Sequence, residues 1–122
     1  ATPASAVMAD DVVLLEIGDT VGRARDLILG VVVGALPVVD DRGHLVGIVS
    51  SWDLVDDWAD DEPVNTVMSD NPRTITPTTN VGEMAQMMSR EGIHHLVVLD
   101  GLRPVGMVST LDLVGLLARA GR

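Results

Sequence analysis

Apolar positions along this chain follow two alternating rhythms, and each rhythm occurs twice. "VVLLEI" (Val12 to Ile17) and "RTIT" (Arg73 to Thr76) are short β-prone runs, each closed by a polar break at Gly18-Asp19 or Pro77-Thr78. The spacing then lengthens. Val21, Ala24, Leu27 and Ile28 form one stripe at helical spacing, and Val81, Met84, Met87 and Met88 form another. Thr20 and Asn80 stand where N-caps belong, Asn80 with Glu83 three residues on as a capping box, and Gly30 and Gly92 stand at C-cap positions. Helices are therefore predicted from Thr20 to Leu29 and from Asn80 to Glu91. "VVVGALPVV" (Val31 to Val39) and "IHHLVVL" (Ile93 to Leu99) follow, β-branched and apolar enough for buried strands. The turns "DDRG" (Asp40 to Gly43) and "DGLR" (Asp100 to Arg103) predict hairpins into "HLVGIVS" and "PVGMVS". A last helix is expected in each half, from Ser51 to Asp60 and from Thr110 to Arg119. The resulting order is β-α-β-β-α twice, a mixed α/β (α+β) chain.

The pattern repeats because the sequence does. "AVMAD" (Ala6 to Asp10) matches "TVMSD" (Thr66 to Asp70), and "GALPVVD" (Gly34 to Asp40) matches "HHLVVLD" (His94 to Asp100), both 60 positions on. One residue is lost in the second turn, so Gly47 pairs with Gly106, Ser50 with Ser109 and Asp53 with Asp112. Two repeats result, residues 4–60 and 65–120, joined by "DEPV" at 61–64. Halves of about 60 residues bury too little surface alone, so the two are expected to fold as one compact module.

Composition narrows the function. The 122 residues carry 18 acidic side chains against 8 basic, every one Arg, for a net charge of −10. A field of that sign repels phosphate backbones, and no local basic patch offsets it, so nucleic acid is not an expected partner. The absence of Cys excludes a disulfide framework and thiolate chemistry. No apolar run reaches the ~18–20 residues of a membrane span, and the start lacks the plan of a signal peptide, so no membrane partner and a cytoplasmic location are expected. With no Cys, Tyr or Lys, no Walker-type phosphate loop and no Ser-His-acid set in a recognisable elbow, the chain is not expected to be an enzyme.

The chemistry that recurs sits at the start of each last helix. Ser50 and Ser109 are N-cap candidates, with Asp53 and Asp112 at N3. The plain alternative is a capping box and nothing more, since such boxes open many helices. Two further observations favour a ligand: a Gly precedes each Ser by three residues, and the same strand and hairpin flank both copies. A helix start presents free N–H groups suited to an anion, a Ser hydroxyl can bond a phosphate, and a carboxylate can accept the hydroxyls of a ribose.

At these residues the chain resembles the CBS domain family, in which two copies pair into a Bateman module. The resemblance rests on "AVM" and "TVM", on the block "GALPVVDDRGHLVGIVSSWDL" with its partner "IHHLVVLDGLRPVGMVSTLDL", and on the doubled Gly-h-h-Ser-x-x-Asp pattern. It covers essentially the whole chain and implies two repeats packed with pseudo-two-fold symmetry. It implies a regulatory module that binds AMP, ADP, ATP or S-adenosylmethionine in the cleft between repeats as an energy or metabolite sensor, with no obligatory cofactor. On this reading Asp53 and Asp112 hold ribose hydroxyls and Ser50 and Ser109 contact phosphate. The resemblance assigns base contacts to Ala35, Leu36 and Pro37 in one repeat and to His95, Leu96 and Val97 in the other. Val97 departs from the family's usual Pro and leaves the local backbone less fixed. A homodimer through the apolar helix faces is implied, together with an effector domain or protein outside this chain.

Three features have bland and sharp readings. His94 and His95 alternate faces if they lie on a strand, so at most one faces the cleft; the ordinary role is a surface or interface residue, the functional one a phosphate contact. Asp53, Asp57 and Asp60 share one helical face if residues 51–60 are helical, which would suit Mg²⁺ or Ca²⁺, though a solvated acidic face is the usual outcome and no residue is assigned to a metal. Trp52, inside the first motif, either abuts a ligand base or packs on the other repeat. A ligand-free homodimerisation module and a divalent-cation sensor are the competing functions.

Overall fold

The computed structural model describes residues 1–31 and 33–120. In chain order the elements are α1 (Ala4–Val7), β1 (Leu15–Glu16), α2 (Val21–Val31), β2 (Ala35–Val39), β3 (Leu45–Ser50), a 3-10 turn (Ser51–Leu54), α3 (Val64–Val67), β4 (Thr74–Ile75), α4 (Val81–Glu91), β5 (His95–Asp100), β6 (Arg103–Ser109) and α5 (Thr110–Ala120). They gather into two compact units, one of residues 13–72 and one of residues 1–12 with 73 onward. We call them the Asp53 unit and the Asp112 unit.

Each unit holds a three-stranded sheet of the same topology, β1-β2-β3 or β4-β5-β6. The first pair is parallel, with a helix in the crossover, and the second is an antiparallel hairpin. The hairpin turns use Gly43 and Gly101 at positive φ, 79° and 65°. Asp40 fixes the first turn by accepting from the amides of Arg42 and His44, both at 2.9 Å. Those bonds, His44's foremost, hold its carboxyl below the usual carboxylate range.

The helical stripes meet the sheets as the periodicity predicts. In the Asp53 unit Val21 and Ala24 of α2 are buried with Leu15, Leu36, Val38 and Val49, with Leu27 and Ile28 packed at the edge. In the Asp112 unit Met84 and Met88 of α4 are buried with Ile75, Leu96, Val98 and Val108, and Met87 packs beside them. These methionines are core filler. Caps follow the sequence at three of four positions. Thr20 accepts from the Arg23 amide at 3.1 Å, Asn80 accepts from the Glu83 amide at 3.0 Å, and Gly92 closes α4 at φ 65°. Gly30 instead lies inside α2, and Val32, part of the run expected as a strand, lies outside the described residues.

The compact units do not coincide with the sequence repeats. The short helix that opens each repeat packs on the other repeat's sheet: fully buried Val64 of α3 joins the Asp53 core, and fully buried Ala4 of α1 joins the Asp112 core. Behind each helix the chain lies against the last strand. Ile48 and Ser69 exchange both backbone hydrogen bonds at 2.9 Å, and Ala9 and Met107 do so at 2.9 and 3.0 Å.

The helix expected from Ser51 to Asp60 does not form. A single 3-10 turn ends at Leu54 and an irregular chain follows, whereas the equivalent α5 is regular over 11 residues. Asp53, Asp56, Asp57 and Asp60 would repel one another at helical i,i+3 and i,i+4 spacing, and Asp is a weak helix former; of the equivalents in α5 only Asp112 is acidic, the others being Gly115, Leu116 and Arg119. The guanidinium of Arg25 in α2 captures the unwound backbone. It donates to the carbonyls of Leu54, Asp56 and Trp58 at 3.2, 3.0 and 3.0 Å and to the Asp60 carboxylate at 3.0 Å. The position equivalent to Arg25 in the other repeat is Ala85.

Candidate ligand-binding site

In both units the motif Ser ends the last strand and pairs with the head of the middle strand. Ser50 lies opposite Ala35, and Ser109 lies opposite His95. The next residue ties the turn to the same place, the Ser51 amide donating to Gly34 O at 3.0 Å and the Thr110 amide to His94 O at 2.9 Å. Ser50 and Asp53 are thereby brought beside Ala35–Pro37, and Ser109 and Asp112 beside His95–Val97.

The neighbouring parallel strand covers only part of that middle strand. β1 pairs with Val38 and Val39, and β4 with Val97 and Val98. The leading residues, Ala35 to Pro37 and His95 to Leu96, therefore have a strand neighbour on the hairpin side only. On the other side their main-chain polar groups have no strand partner. Side chains divide by alternation. Leu36 and Leu96 are spent in the two cores, so they offer a ligand only backbone, while Ala35, Pro37 and Val97 are buried outside those clusters. Val97, having an N–H that Pro37 lacks, donates to Arg73 O at 3.1 Å, a bond the first repeat cannot make.

The motif carboxylates do cap their turns. Asp53 Oδ2 accepts from the Ser50 amide at 2.8 Å and from the Ser50 hydroxyl at 3.1 Å. Asp112 Oδ2 accepts from the Ser109 amide at 2.7 Å, and the Ser109 hydroxyl accepts from the Asp112 amide at 3.2 Å, a complete capping box. No hydrogen bond among the described residues takes Oδ1 of either carboxylate. Both Asp side chains are half-buried.

The motif glycines have a different duty from the one their spacing suggests. A Cβ on Gly47 would collide with the Met68 side chain and come within 2.9 Å of Ser69 O. One on Gly106 would collide with the Met8 side chain and approach Ala9 O at 3.2 Å. Each Gly therefore admits the lead-in segment "AVM" or "TVM" onto the strand and needs no ligand to explain it. The repeated Met was the available signal, although nothing local in sequence joins it to a glycine some 20 or 100 residues away.

Of the histidines, His94 is exposed and His95 half-buried. Burial pushes the His95 imidazole below the usual histidine range, the charge of His94 adds to this, and the Asp112 carboxylate opposes it. His95 is thus neutral at pH 7 and offers a ligand hydrogen bonds instead of a cation. Trp52 is 79% exposed. Trp58 is packed at the edge of the Asp53 core, its indole Nε1 donating to Asp53 O at 3.1 Å. The shared acidic face that would have suited a divalent cation does not form without its helix: Asp60 is held by Arg25, and no group of three or more potential ligands clusters among the described residues.

The sequence profile of the CBS domain family matches residues 4–60 and 64–119. The chain belongs to that family and is a tandem CBS domain pair. It is 34% identical over 116 residues to the L-aspartate semialdehyde sulfurtransferase of Methanosarcina acetivorans, covering 93% of this chain and 23% of that protein. It is 39% identical over 82 residues to the uncharacterized protein YtoI of Bacillus subtilis, covering 66% of this chain and 18% of that protein. The chain thus spans under a quarter of the length of these two curated relatives. Among solved structures, the CBS domain pair of MJ0100 in complex with 5′-methylthioadenosine and S-adenosyl-L-methionine superposes with a TM-score of 0.91 at 25% identity, covering 98% of both chains. CBSX2 in complex with AMP shares the fold, with a TM-score of 0.89 at 21% identity over 100% of both chains. No helix among the described residues is long and apolar enough to cross a membrane.

Proposed function

We propose that this CBS pair is a regulatory module that binds adenosine-containing ligands at its two motif turns, and that it acts by binding one arrangement of its parts better than another. The observation carrying the reading is the juxtaposition, in each unit, of a capping carboxylate with an unengaged Oδ1 and a strand segment partnered on one side only. Asp53 and Asp112 would take ribose hydroxyls, and the backbone at Ala35–Pro37 and His95–Leu96 the base, Val97 being paired on both sides. The likeness to the MJ0100 pair, which was solved with two adenosine compounds, supports the ligand class. No catalytic role is assigned to any residue. The regulated activity would belong to an effector outside this chain.

A second copy of the chain is the proposed partner. Leu111, Val114 and Leu117 leave an apolar stripe on α5, Leu111 being 79% exposed, and Trp52 and Val55 occupy the equivalent positions of the first motif. The alternative of a ligand-free homodimerisation module draws support from the same stripe and from the capping boxes, which need no ligand.

Titration with AMP, ATP, 5′-methylthioadenosine and S-adenosylmethionine, followed by melting temperature, separates the two. Ligand at about 100 times its Kd should add about 2.7 kcal/mol to stability. The gain should disappear when Asp53→Ala and Asp112→Ala are combined. Failure of all four compounds to raise the melting temperature of the wild type would leave the dimerisation module as the function.

A further inference from the structure

We infer that the two motif turns take ligands of different charge, and that the Asp53 turn selects an uncharged or cationic adenosine compound over one bearing phosphates. This rests on the reading of both turns as adenosine sites and adds the chemical class that one of them accepts.

Three features point the same way. The first is the direction of a hydroxyl. At the Asp53 turn the Ser50 hydroxyl also takes part in a capping box, but it donates to a carboxylate oxygen, an acceptor only, at 3.1 Å and so spends its proton there. At the Asp112 turn the Ser109 hydroxyl accepts from an amide at 3.2 Å and keeps its proton to donate. A phosphate placed at Ser50 would meet a proton-depleted oxygen backed by a carboxylate; at Ser109 it would meet a donor.

The second is the helix behind each turn. Ser109 opens an 11-residue α-helix, whereas the 3-10 turn after Ser50 is over in 4 residues and sums almost no dipole. The third is charge. The Asp53 unit holds twelve acidic side chains against three arginines, a net of −9, and the Asp112 unit six against five, a net of −1. Asp53, Asp56, Asp57, Asp60 and Asp61 fall within nine residues of the turn itself. Of the three arginines only Arg25 meets one of these carboxylates, Asp60, and no ion pair among the described residues engages Asp53, Asp56, Asp57 or Asp61. Arg23 pairs with Asp19, Arg42 sits in the hairpin turn at the far end of β3, and Arg25 is committed to the unwound backbone and Asp60. Repulsion of a phosphate by this local surplus is strongest at low ionic strength, where screening is weakest.

Calorimetric titration at low ionic strength tests this with 5′-methylthioadenosine, which is uncharged, and ATP. In Asp112→Asn, which leaves the Asp53 turn intact, 5′-methylthioadenosine should bind about tenfold or more tightly than ATP. In Asp53→Asn, which leaves the Asp112 turn, that preference should be absent. In a separate variant with otherwise native turns, Asp56→Asn, Asp57→Asn and Asp61→Asn together should strengthen ATP binding and leave 5′-methylthioadenosine unchanged. This variant carries the test if either motif substitution unfolds the chain by circular dichroism. Equal or tighter ATP binding at the Asp53 turn, or no response of ATP to the triple substitution, overturns the charge division while leaving the adenosine reading intact. Absence of binding by either compound to the wild type overturns both.

Discussion

His95 couples the candidate site to pH. It stands at the head of β5 opposite Ser109, and burial holds its imidazole below the ordinary value of 6.5. Between that value and its folded pKa the unfolded chain binds more protons than the folded one, so stability is lost as pH falls below about 6.5. Urea melts between about pH 7.5 and 5.5 should show this decline, and His95→Asn should flatten it; an unchanged slope would mean the imidazole is not desolvated in the folded chain. At this scale Ser50, Asp53, Ser109 and Asp112 were legible as caps and as motif residues, because both roles depend on spacing of three along the chain. The choice of hydroxyl direction was not legible. It depends on whether a regular helix follows, and the two motifs are alike up to that point. Gly47 and Gly106 were misread for a similar reason, their neighbours Met68 and Met8 being remote in sequence.

Among the elements, the unwound segment after Leu54 is where local pattern failed. Its apolar and acidic residues keep helical spacing, but a helix there would stack like charges, and Arg25 offers the backbone a better set of partners. Arg25→Met should destabilise the Asp53 unit by about 2 kcal/mol, since three carbonyls lose a charged donor. Asp60→Asn should cost less than about 1 kcal/mol, because the Asp60 side chain is 84% exposed. Denaturant melts followed by Trp fluorescence compare the two. Equal losses would show that the ion pair, and not the carbonyl clamp, holds the segment. The stripes of α2 and α4, by contrast, were read correctly because their period alone places Val21, Ala24, Met84 and Met88 against a sheet.

At the scale of the whole chain, duplication was plain in the sequence, but the exchange of opening helices was not, since a repeat boundary is a statement about similarity and a compact unit is one about burial. The exchange predicts where damage spreads. Val64 opens the second CBS match, residues 64–119, yet is buried in the core of the first, so Val64→Ala should cost about 2 kcal/mol and lower amide-exchange protection chiefly within residues 13–72. Loss concentrated beyond residue 73 would contradict that packing.

The same exchange decides which unit any attached domain addresses. Residues 1–12 and α5 both belong to the Asp112 unit, so a covalent neighbour on either side would be anchored there. The Asp53 unit is an insertion in sequence, entered at residues 12–13 and left at residues 72–73. Mechanical readout would then be wired through the unit that carries Asp112.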